Sequence, residues 1–152
     1  MTARAAKPAS PAEAGHPALC ADDVLAGGGW NPRYARVLLT ASDGDHGVAL
    51  VDGNGDGREL EIEVWTWSER HGWEAGPSMG AGALSRVGTE QTGGRIDNLC
   101  IAYGRLPGKT SATLQFRGHA CEVPVSQHGF WGFARFDDGS AEPDEPKLMG
   151  WA

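Results

Sequence analysis

Between Asp52 and Glu63 the chain reads Asp-Gly-Asn-Gly-Asp-Gly-Arg-Glu-Leu-Glu-Ile-Glu. Asp52, Asn54 and Asp56 alternate, so a tight turn would bring three side-chain oxygens towards one centre, with the carbonyl of Arg58 as a fourth. A hard cation such as Ca²⁺ takes about six to eight oxygens from carboxylates and carbonyls on sharply folded backbone. Gly53, Gly55 and Gly57 permit such a fold. Glu63 occupies the place of the carboxylate that closes a loop of this kind when a helix follows. Here Leu60-Glu61-Ile62-Glu63-Val64 alternates apolar and polar residues, and such a strand carries Glu63 roughly 20 Å away at about 3.3 Å per residue. The competing role for the stretch is a polar hairpin turn whose Asx side chains bond their own backbone.

The Asp52–Gly57 pattern resembles the D-x-N-x-D-G loops of dockerin-like modules and of FG-GAP repeats in β-propellers. That resemblance covers about a dozen residues. It implies Ca²⁺ held by Asp52, Asn54, Asp56 and Arg58 in a structural module. In the propeller type the later carboxylate falls where this chain has Leu60, leaving Glu59 or Glu61 to substitute. A single copy does not build a propeller.

Other residues could carry catalysis. Gly76-Pro77-Ser78-Met79-Gly80 satisfies G-x-S-x-G, with Asp97 and His119 following in the order of an α/β-hydrolase triad. That architecture needs strand–turn–helix units, whereas Gly82 and its neighbours suit a flexible loop. His46, His71 and His128 each precede glycine in a turn, and His119 follows one. In a simple meander His46 and His71 fall at one end of the sheet, near Asp43 and Asp45, where they could bind a metal or exchange protons. Glu59, Glu61 and Glu63 share a strand face, a row that more commonly solvates an edge than forms an acid–base pair.

Trp65 and Trp67 lie on the same face as Glu61 and Glu63, opposite Leu60, Ile62 and Val64. As an exposed pair they would form a platform for a protein, peptide or sugar ring. If the N-terminal segment around Trp30 or a second sheet covers them, that face becomes a second core instead.

These residues require a scaffold of strands. The chain has 152 residues, enough for one domain with a real core. Its 23 glycines and nine prolines punctuate short apolar segments. Candidate strands cover 34–41, 47–51, 59–67, 73–75, 96–103, 111–117, 120–125 and 130–136. About eight short strands with tight turns predict an all-β fold, an antiparallel β-sandwich or small barrel. Residues 1–29, rich in Ala, Pro and Gly, are expected to be a disordered leader with at most one helical turn at 22–26. Residues 30–152 form the single β domain, with a Gly-rich loop at 76–95.

A net charge of −7 repels phosphate backbones and anionic membrane surfaces. Nucleic acid and membrane are therefore not expected partners. With no apolar run long enough for a span and no complete signal peptide, the expected location is the cytoplasm, an exported form being the other possibility. Cys20, Cys100 and Cys121 read as free thiols, with a Cys100–Cys121 bond as the alternative. The expected function is non-catalytic binding of an unknown protein or small ligand through Trp65, Trp67, Glu61 and Glu63, a protein partner being favoured over carbohydrate. A Ca²⁺-stabilised module and a small β-sandwich hydrolase are the alternatives.

Overall fold

The computed structural model describes residues 15–87, 92–96, 98–137 and 146–152. The fold is all-β, as expected, and the described residues hold ten strands where about eight were expected. They form three antiparallel sheets. The first sheet is a meander of β1 (Arg36–Asp43), β2 (His46–Asp52), β3 (Leu60–Ser68) and β4 (Gly72–Gly82). The middle sheet has the order β5 (Thr92–Ile96), β6 (Leu99–Arg105), β9 (Phe130–Phe136). The third has the order β10 (Lys147–Trp151), β7 (Ser111–Phe116), β8 (His119–Pro124). The two strands beyond expectation are β5 and β10, and β4 reaches well past 75 into the glycine-rich span.

Alternation decides the stacking. Leu60, Ile62 and Val64 of β3, with Val48 and Leu50 of β2, meet Leu99, Ile101 and Tyr103 of β6 and Phe130 and Ala134 of β9 in one core. The intervening residues of the middle sheet, Cys100, Ala102, Trp131 and Phe133, face the other way. They pack on Ala112, Leu114, Phe116, Cys121 and Val123 of the third sheet. The middle sheet is thus buried on both faces, which is why β6 reads as an almost continuous apolar run. Each of its large side chains contributes about 1.5–3 kcal/mol by leaving water.

Turns follow the local chemistry. Gly44 (φ 58°) opens the two-residue turn from β1 to β2, and Gly72 (φ 70°) admits β4 after His71. Along one side β1 approaches β9: Ser126 Oγ donates to the Leu38 carbonyl (2.6 Å), and the Phe136 amide donates to Asp43 (2.8 Å).

The expected leader is corrected for residues 15–29. They fold onto the outer face of the first sheet, with Leu19 and Val24 buried. Helix α1 (Ala21–Gly27) begins where Asp23 accepts hydrogen bonds from the amide (3.0 Å) and thiol (3.1 Å) of Cys20. Asp22 and Asp23 also complement the helix dipole. A Cβ on Gly27 would lie 3.2 Å from the Trp65 ring, so a small residue lets the helix close on the sheet. The nearby apolar set is Leu19, Val24, Ala49, Val51, Trp65 and Trp73. Composition hid this because two anchors, Leu19 and Val24, carry the packing of an otherwise Ala- and Gly-rich segment.

Candidate functional site

The aromatic face expected to bind a ligand is covered by the chain itself. Trp65 is completely buried, Trp67 and Glu61 are half-buried, and Glu63 is buried. Trp30 donates its indole N–H to Glu63 (3.2 Å). Burial pushes the Glu63 carboxyl above its ordinary value, against the opposing effect of the Trp30 indole hydrogen bond. Trp65 belongs to the third apolar cluster and Trp67 packs against it, so the Trp65 ring is not the exposed half of a platform. The physical reason is that a wet face and a face covered by a distant segment have the same alternation.

The cover is fastened by His16. Its Nδ1 donates to the Pro17 carbonyl (3.0 Å) and its Nε2 to Asp45 (2.7 Å). Both ring nitrogens face acceptors, the arrangement of an imidazolium. Burial alone would lower its pKa, but the bonds to Pro17 and Asp45 outweigh that and raise it. The ring stacks on Trp67 with centroids 4.2 Å apart and meets Trp73 edge-on. Trp73 Nε1 also donates to the Pro17 carbonyl (3.1 Å).

In the acidic loop, Asp52 points inward and its two oxygens accept the amides of Gly55 (3.1 Å) and Gly57 (2.8 Å). Asp56 accepts the amide of Arg58 (3.0 Å), while Asn54, Asp56 and Arg58 are exposed. Gly55 and Gly57 adopt positive φ, which their missing Cβ allows. The loop is closed by its own Asx bonds. Among the described residues no group of three His, Cys, Asp or Glu side chains converges as metal ligands.

The hydrolase-like residues are dispersed. Ser78 lies in extended β4 opposite Glu63, and His119 begins β8 of the third sheet; Asp97 lies outside the described residues. His46 and His71 do lie at one end of the meander, but Asp45 is taken by His16 and His46 stacks on Phe136 (4.2 Å). All three cysteines are free thiols, Cys100 and Cys121 being buried in the second core.

Sequence reasoning missed a groove between β4 and β5, the outer strands of two facing sheets. It encloses about 270 Å³, and Ile62, Ile101 and Tyr103 are among its lining residues. Met79, Gly80 and Ala81 form one wall and Thr92, Gly93 and Gly94 the other. From Glu74 to Gly80, β4 is exposed, and Met79 is 51% accessible. A Cβ on Gly80 or Gly94 would meet nothing within 4 Å, and neither residue has positive φ. Internal packing among the described residues therefore does not require these glycines. Glycine inside a strand weakens it and marks places where another backbone comes close. The available signal was the density of glycine beside Met79 and Ile96, which also describes a loop.

No helix of the described residues is long and apolar enough to cross a membrane. No family model, curated protein or solved structure matches the chain.

Proposed function

We propose that the protein is a non-catalytic interaction module that receives an extended segment of a partner protein in the groove between β4 and β5. One observation carries this reading: two sheet edges flank an apolar groove whose glycines, Gly80 and Gly94, have open space where side chains would stand. An added strand would gain main-chain hydrogen bonds from an edge, and alternate side chains would enter the groove. Pro77 carries no N–H and bounds the pairable stretch, leaving Ser78–Gly82. Met79 supplies an adaptable apolar contact. The occupant of this groove is an uncharged strand with apolar residues at alternate positions, matching the apolar groove residues.

The test is selection from a displayed library of random linear peptides. Enriched peptides should show period-two apolar patterning and perturb amide resonances of β4 and β5. Gly94→Val fills the groove without an internal clash and should abolish binding while leaving the melting temperature nearly unchanged. Enriched peptides that bind Gly94→Val as well as the parent protein would refute the assignment.

A further inference from the structure

We propose a second site, independent of that groove: a cleft at the ends of β7, β8 and β9 that binds a small oxyanion through Arg135, with His119 contributing from the cleft wall. The cleft encloses about 270 Å³ and is lined by Phe116, Arg117, His119, Cys121, Arg135 and Phe136. None of these is acidic, although the chain as a whole carries a net charge of −7.

The Arg135 side chain is 27% exposed. Its Nε is buried with no hydrogen-bond partner among the described residues. The carboxylate paired with it, that of Asp43, stands 3.8 Å away and already accepts the Phe136 amide. A guanidinium presents a rigid fork of donors that fits two oxygens of one anion. Aromatic rings hold this fork: Arg135 lies 5.8 Å from the Phe116 centroid and 5.7 Å from that of Phe133.

The neighbouring wall is fixed by other bonds. Asp137 is buried and pairs with Arg95 (2.6 Å) and with Arg117. Arg117 is the one non-glycine among the described residues at positive φ (50°). The two-residue turn it opens, with Gly118 (φ 76°), ordinarily favours Asn or Gly at that position. A strained arginine is therefore kept where its guanidinium reaches Asp137. Burial pushes the Cys121 thiol above its ordinary value despite the nearby Arg135.

The shared chemistry of the ligand is a planar or tetrahedral oxyanion, a carboxylate or a phosphate monoester. Thermal melts of the full chain in inorganic phosphate, acetate and phenyl phosphate, against chloride at equal ionic strength, test it. An anion at ten times its Kd should raise Tm saturably by about 3–6 °C in a chain of this length. A response to phosphate and phenyl phosphate but not acetate assigns the cleft to phosphate esters; a response led by acetate assigns it to carboxylates. Arg135→Lys keeps charge and stem but loses the fork, and should weaken binding about tenfold. His119→Ala, on an exposed side chain, should weaken it without altering the fold. Equal melts in all salts, or undiminished anion responses in folded Arg135→Lys and His119→Ala, would overturn the proposal.

Discussion

Replacing Leu19 by alanine tests whether residues 15–29 are structural. Leu19 is 3% exposed, and a Cβ built on Gly47 would lie 3.0 Å from its Cδ2, so it rests directly on β2. Buried leucine-to-alanine changes cost about 2–5 kcal/mol, the lower half applying where the surroundings can collapse into the space. The covering segment is a single layer, so about 2–3 kcal/mol is expected. For a chain of 152 residues that is a fall in Tm of about 5–10 °C. Val24→Ala, at a completely buried site, should cost about 1.5–2.5 kcal/mol. Both residues share one cluster, so the double variant should depart from additivity. The assay is a urea or thermal melt followed by tryptophan emission, since Trp65 and Trp73 lie beneath the segment. An unattached leader predicts changes within about 0.5 kcal/mol for either substitution. That result, with unaltered emission, would refute the packing argument.

Stability should also depend on pH through His16. Its folded pKa is raised above 6.5, so the contribution is complete below about 6.5 and is lost as pH rises through the folded value. Melts of the parent and His16→Asn across neutral pH should converge on the alkaline side; parallel curves would contradict the clasp. Glu63 is likewise raised, from 4.5, so ionising it should reduce stability as pH rises through its folded value, and Glu63→Gln should flatten that slope in denaturant titrations. Asp52→Ala removes the acceptor of two amides and should cost about 2–4 kcal/mol, read by chemical denaturation. Because the loop closes on itself, melts in excess Ca²⁺ and in chelator should coincide; a Ca²⁺-dependent rise lost in Asp56→Ala would show a cation site there.

Much of the scaffold was readable locally. The alternation of Leu60, Ile62 and Val64 against Glu61 and Glu63 identifies β3 and its core face, because a pleated strand separates neighbours at once. Turn residues at Gly44, Gly72 and Gly118 mark three hairpins for the same local reason. The edge strands were not readable: β4 and β5 contain Gly76, Pro77, Gly80, Gly93 and Gly94, and only pairing with β3 and β6 makes them extended. Strand preference at such positions reflects neighbours supplied from elsewhere in the chain. The fate of Trp65 was equally non-local, since it depends on Leu19 and Val24, dozens of residues upstream. The candidate groove lies between strands from two sheets, so no window of sequence contains it.

The middle sheet has a consequence for the order in which the chain becomes compact. β6 pairs with β9 only after the β7–β8 hairpin has been made between them. The meander β1–β4 is built from sequence neighbours and can form as it leaves the ribosome. Its inner face of Val48, Leu50, Ile62 and Val64 then waits for β9 before it is fully roofed. During synthesis this apolar sheet surface is only partly covered until Phe136 has emerged, which makes lateral association a hazard for the nascent chain.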